Sequence, residues 1–480
     1  MDIAHPSARE KALALNLDPA TYGTIAEIGA GLNRWTPLPG DPILAPEHQV
    51  SERRGVKMNR AGIQLNGVRY RWPSRPIVVV CIDGGDPAYF EQGVRDGIVP
   101  NVARFMKDGF SAIANGDVPS FTCPNNMSIT TGSPPAVHGI SGNFYLDPAT
   151  GEPVVMTGPE LLRSRTIMAE FSRHGARVAS ITAKDKLRRQ LGKEMSLAGG
   201  SVNFSAEFAD QCTMAETGIA DALELTGMPQ PDMYSPELSL FVLEAGIKLL
   251  EERRPDILYL SLTDYVQHKY APGEPDADRY YKNMDDKFGA LEALGAVVAL
   301  TADHGMNDKS NADGSPRVIW LQDLLDARFG TGKSIVICPI TDRFVAHHGA
   351  LGGFVRVYCR DGLDPQEVMG LARELPGVDG VYGKAEAAKR FELPLDREGD
   401  VVVIGDTGTC IGAAEADHDL SGLKGHRLRT HGGVSESRVP FILNYPLRPE
   451  YAARAAAAPL RSYQIFDFAI NGIDAGARSA

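Results

Sequence analysis

The amino-acid sequence predicts an α/β protein with a largely parallel sheet, helices on both faces of that sheet, and a smaller inserted α+β domain. Two observations lead to this prediction. Short apolar runs without alternation recur along the chain, at residues 77–82 (IVVVCI), 178–181 (VASI), 257–262 (ILYLSL) and 296–300 (AVVAL). Segments of helical length separate them, and strands that are buried on both faces and alternate with helices are typical of a parallel sheet.

The composition limits the class of partner. The 480 residues are 43% hydrophobic and 23% charged, as in an ordinary globular protein with room for a large core. A net charge of -12 argues against binding to nucleic acid or to an anionic membrane, because such partners need a broad basic face. We therefore expect a small-molecule partner, whose negative charge would need local cations or metals. A homodimer is one oligomeric state that the sequence leaves open.

The cysteines and the N-terminus indicate the compartment. The six cysteines are scattered singly without a CxxC pair, so neither a disulfide framework nor a cysteine zinc site is indicated. No apolar run approaches the roughly 20 residues of a membrane span. The N-terminus lacks the basic start and apolar stretch of a signal peptide. We expect a cytoplasmic protein.

Changes in composition suggest domain boundaries. Residues 1–57 are polar and rich in Gly and Pro, and we interpret them as an appended, non-catalytic segment. The catalytic core is predicted to comprise residues 58–309 and 405–480. Between them, residues 310–404 contain shorter strand-like pieces and are predicted to form the inserted domain. Apolar core character returns at 401–404 (VVVI).

Three of the predicted strands deliver a carboxylate at the carboxyl end. Asp83, Asp264 and Asp303 each follow an apolar run within a few residues. In sheets of this kind the reactive groups gather at the carboxyl ends of the strands, so we expect these side chains to converge.

Oxygen and imidazole donors near these ends suggest a metal site. The candidate ligands are Asp83, Asp264, His268, Asp303, His304 and His431. Asp264 and His268 are four residues apart, so a helical turn would place both on one face. Donors of this kind without thiolates suit catalytic zinc, or manganese or iron, and six of them exceed what one ion needs. Two metal ions are the simplest interpretation, although a single strand-end aspartate is more often a cap or turn residue.

Thr122 is the candidate nucleophile. It stands two residues before a proline and ahead of helix-compatible residues, so it is placed as an N-cap beside free amides and the positive end of a helix. Such a terminus can bind phosphoryl oxygens. A plain capping role, or Cys123 as a softer nucleophile, are the alternatives. A metal that lowers the pKa of the hydroxyl would make Thr122 an alkoxide at neutral pH.

Taken in order, these motifs resemble the alkaline phosphatase superfamily, in the branch that holds nucleotide pyrophosphatases, phosphodiesterases and phosphonoacetate hydrolases. The resemblance covers most of residues 58 to 471. It is carried by 83–86 (DGGD), 122–126 (TCPNN), 131–133 (TGS), 138–140 (HGI), Asp264 with His268, 303–305 (DHG) and 431–433 (HGG).

The resemblance implies an alkaline-phosphatase-like fold, two zinc ions and a role for each motif residue. One zinc would be held by Asp264, His268 and His431. The other would be held by Asp83, Asp303, His304 and the oxygen of Thr122. Asn143 would hydrogen-bond a third oxygen of the phosphorus group, although on its own it would be interpreted as a turn asparagine.

Two lysines direct the choice of substrate. Lys184 and Lys186 follow the run at 178–181 and resemble the carboxylate-binding lysines of phosphonoacetate hydrolases; on their own they would be interpreted as a solvated surface pair. Cleavage of the carbon–phosphorus bond of phosphonoacetate expels a carbanion, which is tolerable as an enediolate with its charge on the carboxylate oxygens. Cations fixed on those oxygens would stabilise the transition state more than the ground state.

The expected activity is therefore zinc-dependent hydrolysis of phosphonoacetate to acetate and phosphate, through attack by Thr122 and a phosphothreonine intermediate. One alternative is a nucleotide pyrophosphatase or phosphodiesterase on the same metals, which would need an apolar or aromatic slot for a base. Another is a non-catalytic zinc-binding or phosphonate-binding protein of the same fold.

Overall fold

The computed structural model describes residues 62–147, 150–156, 158–340, 349–423, 425–474 and 476. The predicted appended segment, residues 1–57, lies outside the described residues. The strands are β1 Ile63–Leu65, β2 Val68–Tyr70, β3 Ile77–Cys81, β4 Phe110–Asn115, β5 Phe144–Leu146, β6 Pro153–Val155, β7 Val178–Thr182, β8 Val202–Ser205, β9 Ile257–Ser261, β10 Val297–Thr301, β11 Asn307–Asp308, β12 Val318–Trp320, β13 Ser334–Ile337, β14 Phe354–Cys359, β15 Val378–Gly383, β16 Val401–Gly405, β17 Cys410–Gly412, β18 Arg429–Thr430 and β19 Arg438–Leu443.

The α-helices of the described residues lie mostly between these strands. They are α1 Pro87–Arg95, α2 Pro100–Asp108, α3 Thr122–Thr131, α4 Pro135–His138, α5 Ile167–Arg173, α6 Asp185–Leu191, α7 Ala222–Thr226, α8 Glu237–Glu252, α9 Pro275–Ala293, α10 Leu321–Phe329, α11 Pro365–Arg373, α12 Lys384–Arg390, α13 Pro449–Ala457 and α14 Ile465–Asp467. No helix in the described part of the chain is both long enough and apolar enough to cross a membrane.

A seven-stranded sheet forms the centre of the fold, in the order β4-β19-β10-β3-β9-β7-β8. The five strands from β10 to β8 are parallel to one another. At the other edge, β19 is antiparallel to β10 and β4 is antiparallel to β19. The four apolar runs of the sequence form four adjacent strands of this sheet, so the predicted largely parallel α/β fold is confirmed.

Both faces of the sheet are covered, which explains why its central strands are apolar without alternation. In β3, Val78 and Val80 pack in one core with residues of α8 and α9. Val79 and Cys81 belong to a second core with residues of α3 and α5. Because successive side chains of a strand point to opposite faces, a strand between two helical layers must be apolar at every position.

A second, four-stranded sheet has the order β13-β14-β16-β15 and is antiparallel throughout. Residues 401–404, where we expected core character to return, lie in β16 and therefore in this sheet, because they pair with β14 and β15. The main sheet is rejoined at β19. The strands of the second sheet overlap the predicted insertion, residues 310–404, and the division into domains stays a prediction.

Candidate metal centre

The carboxyl ends of three adjacent strands bring the predicted carboxylates together. Asp83 follows β3, Asp264 follows β9 and Asp303 follows β10, and β3 lies between the other two strands. Gly84 has φ +68° and passes so close to Asp264 and Met306 that a Cβ would lie 3.1 to 3.2 Å from their side chains. A glycine is therefore required directly after Asp83.

Asp264, His268 and His431 form the first cluster, in which one donor atom of each lies within 4.8 Å of the others. His268 and Asp264 share a helical turn, since the amide of His268 donates to the carbonyl of Asp264 at 3.0 Å. Nε2 of His268 lies 2.8 Å from Asp264 Oδ2. Nε2 of His431 lies 3.9 Å from the same oxygen. All three residues are at most 5% exposed.

Asp83, Asp303 and His304 form the second cluster, within the same 4.8 Å limit and at most 2% exposed. Nε2 of His304 lies 3.2 Å from Asp83 Oδ1 and 3.9 Å from Asp303 Oδ1. The side-chain amide of Asn126 donates to Asp303 Oδ2 at 2.9 Å and thereby orients the carboxylate. This cluster contains two carboxylates, whereas the first contains one.

The three histidines are oriented by the same kind of hydrogen bond. Nδ1 of His268 contacts the carbonyl of Arg429 at 2.6 Å, and Nδ1 of His431 contacts the carbonyl of Ser120 at 2.7 Å. Nδ1 of His304 contacts the carbonyl of Gly305 at 3.0 Å. Because a carbonyl oxygen can only accept, each Nδ1 carries the hydrogen, and Nε2 is left to face the carboxylates. Metal-binding histidines in proteins are usually fixed in this way.

The two clusters adjoin each other, and Thr122 lies beside the second. The rings of His304 and His431 stack with their centroids 3.5 Å apart at an angle of 7°. Oγ1 of Thr122 lies 3.4 Å from His304 Nε2. Helix α3 has ten residues, of which all but Thr122 are buried. Thr122 is thus the half-buried start of an otherwise buried helix.

The prediction that Thr122 is the N-cap was wrong by one position. The N-cap is Phe121, whose backbone is extended at φ -119° and ψ 157°, and Thr122 is the first residue of the helix. A first-turn position leaves the Thr122 hydroxyl directed to His304 rather than to the amides of its own helix. The free amides of the first helical turn remain next to it.

Burial and neighbouring charges raise the pKa values of some candidate ligands and lower that of another. Burial first, and then the charge of Asp83, raise the pKa of Asp303 well above its usual range. Burial alone would lower the pKa of His304, but the charges of Asp303 and Asp83 raise it to about 10. Burial, followed by the neighbouring His304 and His268, lowers the pKa of His431 well below its usual range.

This donor set fits divalent metal ions. Asp83 Oδ1 is buried, and His304 Nε2 lies 3.2 Å from it. With Nδ1 of His268 facing the carbonyl of Arg429, its Nε2 faces Asp264 Oδ2 at 2.8 Å, so both atoms are available to one cation. Buried carboxylates and imidazoles without thiolates are ligands that zinc, manganese and iron all accept.

Lys184 lies beside the first cluster, with its Nζ 3.8 Å from Asp264 Oδ1. The lysine follows β7 and precedes α6, at the same edge of the main sheet as the three carboxylates. Lys184 and Lys186 both line a cavity of about 850 Å³, whose wall also includes Phe208 and Tyr234. The structure thus brings the predicted lysines to one cavity next to the first cluster.

Asn143 lies against the second sheet, in the turn before β5. Its backbone amide donates to Pro339, and its Nδ2 contacts the carbonyl of Ile340 at 3.4 Å. Its buried Oδ1 accepts no hydrogen bond from the described residues. These contacts place Asn143 with the second sheet, and they do not link it to either cluster.

Four further residues orient the clusters, and two of them, Asn126 and Gly305, stand inside predicted motifs. Asn126 accepts from Tyr259 at 2.6 Å and from Ser261 at 3.0 Å while donating to Asp303. Ser120, Gly305 and Arg429 act through their backbone carbonyls. The motif TCPNN could have drawn attention to Asn126, whereas a backbone carbonyl leaves no signal in a sequence.

Comparison with known proteins defines the class. The family model described as type I phosphodiesterase / nucleotide pyrophosphatase matches residues 77–433, and these include all six candidate ligands. The chain therefore belongs to the type I phosphodiesterase / nucleotide pyrophosphatase family.

Within that class, the chain is similar to phosphonoacetate hydrolase from Sinorhizobium meliloti 1021. Two crystal structures of that enzyme, in complex with phosphonoformate and with phosphonoacetate, each have 48% sequence identity and a TM-score of 0.81. The match covers 86% of this chain and 99% of that one. The resemblance drawn from the motifs is thus confirmed, and the chain is a hydrolase of this kind.

Two further matches are more distant, and the first, a solved structure, shares the fold. Murine ectonucleotide pyrophosphatase / phosphodiesterase 5 is 18% identical, with a TM-score of 0.55 over 82% of this chain and 93% of that one. A pyrophosphatase/phosphodiesterase of Schizosaccharomyces pombe (strain 972) is 24% identical over 260 residues, which are 52% of this chain. The chain spans about half the length of that curated relative, since the match covers 48% of it.

Proposed function

We propose that this hydrolase cleaves the carbon–phosphorus bond of phosphonoacetate, with two zinc ions and Thr122 as nucleophile. The observation that carries the proposal is the position of the Thr122 hydroxyl, 3.4 Å from His304 Nε2 where the two ligand clusters adjoin. The likeness to a phosphonoacetate hydrolase at 48% identity over most of the chain supports the choice of substrate.

Each cluster would hold one zinc ion. Asp264, His268 and His431 are the ligands of one ion. Asp83, Asp303 and His304 are the ligands of the other, completed by the oxygen of Thr122. When bound, the two ions lower the pKa of a hydroxyl that they contact and balance the negative charge of the phosphorus group.

Thr122 begins the reaction. Its hydroxyl gives up its proton to solvent, its oxygen forms a bond to phosphorus, and the carbon–phosphorus bond breaks. The electron pair of that bond passes to the leaving carbon. The first-turn amides of α3 face the developing negative charge on the phosphorus group. Asn143 donates a hydrogen bond to a further phosphoryl oxygen, and its 3.4 Å contact with Ile340 is long enough to be given up with little loss.

The lysines act on the leaving group. The carbanion is delocalised onto the carboxylate as an enediolate, and Lys184 and Lys186 stabilise the charge that develops on those oxygens. The carbon then takes a proton from solvent, and acetate leaves. Water hydrolyses the phosphothreonine, which releases phosphate and restores the hydroxyl of Thr122. The sum is phosphonoacetate plus water to acetate plus phosphate.

A nucleotide pyrophosphatase or phosphodiesterase activity is the second candidate. The cavity beside Lys184 has a volume of about 850 Å³, far more than a two-carbon leaving group needs, and Phe208 and Tyr234 in its wall offer aromatic surface to a base. The family model is equally compatible with this activity.

One assay separates the candidates. Purified protein loaded with zinc is given either phosphonoacetate or a nitrophenyl ester of a nucleotide, and acetate, phosphate and nitrophenol are measured with and without a strong chelator. We expect stoichiometric acetate and phosphate from phosphonoacetate, lost on chelation. Turnover of the nucleotide ester with none of phosphonoacetate would establish the second candidate instead.

A further inference from the structure

Two chain segments are hydrogen-bonded to each other near the metal centre. One carries His304 of the second cluster, and the other carries His431 of the first. His304 precedes β11 and His431 follows β18, and β11 and β18 pair with Asn307 opposite Thr430. Beyond the paired strands, the amide of Gly305 donates to the carbonyl of Glu436 at 2.7 Å. The stacked rings of His304 and His431 therefore belong to two segments that are hydrogen-bonded to each other at two places, Asn307 with Thr430 and Gly305 with Glu436.

Glu436 forms the second connection with its side chain as well. Its Oε1 accepts from the side-chain nitrogens of Asn307 at 2.6 Å and Lys309 at 2.9 Å. Its Oε2 accepts from the backbone amide of Gly433 at 2.8 Å. The carboxylate thus spans the gap between the segment after His304 and the turn after His431. We call Glu436, Lys309 and Asn307 the clamp.

The clamp lies behind the ligands and belongs to neither cluster. Glu436 and Lys309 are both 0% exposed, so each charge depends on the other and on neutral donors and acceptors. A Cβ at Gly433 would lie 3.0 Å from Glu436 Oε2, so only a glycine lets the carboxylate approach the backbone there without displacement. A buried, fully hydrogen-bonded carboxylate between two loops restrains both loops.

We propose that Glu436, together with Lys309, is a positioning residue that fixes His304 relative to His431 and thereby the spacing of the two metal ions. The inference rests on the proposed two-metal function, and it concerns residues outside the ligand set. Glu436 does not touch the substrate. Its effect passes through two imidazoles, and outer-shell partners of this kind usually affect metal affinity as well as turnover.

The test is Glu436→Gln, which keeps the size of the side chain. A glutamine has one acceptor oxygen in place of two, so it cannot accept from both the Gly433 amide and the Lys309 ammonium. We expect zinc titration against a chromophoric chelator to show about 10- to 100-fold weaker binding of at least one equivalent, with kcat lowered by a similar factor. The KM for phosphonoacetate should stay near that of the parent, and the absorption spectrum of the cobalt-loaded protein should change.

Two controls separate positioning from simple loss of stability. Asp285 is also a 0% exposed carboxylate that accepts from neutral donors, the amides of Asn101 and Val102. Asp285→Asn should lower the melting temperature without changing zinc affinity or the cobalt spectrum. The double variant Lys309→Met with Glu436→Leu removes both buried charges, and it should be more stable than Glu436→Leu alone. Its zinc affinity and kcat should remain low.

The outcomes are distinct. Recovery of zinc affinity and kcat together with stability in the double variant would overturn the positioning role, as would parent-like zinc binding and spectrum in Glu436→Gln. A parent protein that binds fewer than two zinc ions would overturn the two-metal function itself, and the clamp with it. Two zinc ions in the parent with an unaffected Glu436→Gln would overturn the clamp alone.

Discussion

The first cluster offers two imidazoles and one carboxylate, and the second offers one imidazole and two carboxylates. Both are buried at the same edge of the main sheet, yet their surroundings differ. The first has Lys184 at 3.8 Å, whereas the second has the Thr122 hydroxyl at 3.4 Å from its imidazole. The second cluster also holds two neighbouring carboxylates, and burial together with the charge of Asp83 raises the pKa of Asp303 well above its usual range.

The difference suggests that the two adjoining clusters have different roles in the reaction. In the proposed reaction, attack on phosphorus would take place on the side of the second cluster, where a partly exposed hydroxyl lies beside two carboxylates. The leaving group would lie on the side of the first cluster, where Lys184 lines the large cavity. If this comparison is correct, changes on the two sides should have different consequences for chemistry, metal content and substrate choice.

The largest effect is expected at the nucleophile. Thr122→Ala should lower turnover of phosphonoacetate on the order of 10⁴-fold or more, because a methyl group cannot become an alkoxide. Zinc content and melting temperature should stay close to those of the parent. Cys123→Ala is the matched control, and it should retain turnover. Rapid quenching with a phosphorus-labelled substrate would be decisive, and label on any residue other than Thr122 would show that the wrong nucleophile was chosen.

The next largest effect is expected from removal of the metal ligands of either cluster. Alanine at Asp264, His268, Asp303, His304 or His431 should each lower the zinc content measured by elemental analysis, and a strong chelator should abolish activity in the parent.

The two sides should nevertheless differ in their metal-free stability. Burial and the charge of Asp83 raise the pKa of Asp303, so ionisation of this carboxyl destabilises the metal-free fold. The melting temperature of metal-free Asp303→Asn should therefore fall less than that of the metal-free parent as the pH rises from about 4 to about 7. His268→Ala leaves the Asp303 carboxyl in place and should keep the pH dependence of the parent. Equal changes in the two variants would contradict the charge difference between the clusters.

A selective effect is expected at the lysines. Lys184→Ala or Lys186→Ala should lower kcat/KM for phosphonoacetate by about 10²- to 10³-fold, by analogy with the loss of a preorganised oxyanion partner. A nitrophenyl phosphate ester, whose leaving group has no carboxylate, should be hydrolysed as by the parent. Lys248, which is similarly exposed and pairs with Glu251, provides a neutral control as Lys248→Ala. Equal losses on both substrates would assign the lysines to the phosphorus group or to the fold.

The smallest effect is expected from removal of the N-terminal segment, residues 1–57. A chain that begins at Met58 should retain the turnover, zinc content and soluble yield of the full chain, because residues 1–57 lie outside the resemblance and lack an apolar pattern. A fall in turnover or yield on truncation would show that the segment supports the catalytic core.

The sequence was most informative for strands that are buried on both faces. The runs at 77–82, 178–181, 257–262 and 296–300 needed no partner to be recognised, because burial between two helical layers requires apolar residues at every position. Strands β4 and β19 escaped notice. β4 is mostly half-exposed, and β19 contains Pro440 within its run, so neither has a clear pattern. Their antiparallel pairing is a contact between residues more than 300 positions apart.

By itself, then, the sequence determined the α/β class, the four central strands, and the carboxylates that follow three of them. The assignment of ligands to two clusters came from resemblance, since no spacing rule joins His431 to His268. Only the tertiary structure decided that His304 stacks on His431, that Thr122 opens α3 rather than caps it, and that Glu436 ties the two ligand segments together. The local pattern of the sequence reflects the burial of each residue. Distances between loops depend instead on the order of the strands in the sheet and on where the chain rejoins the sheet after each excursion.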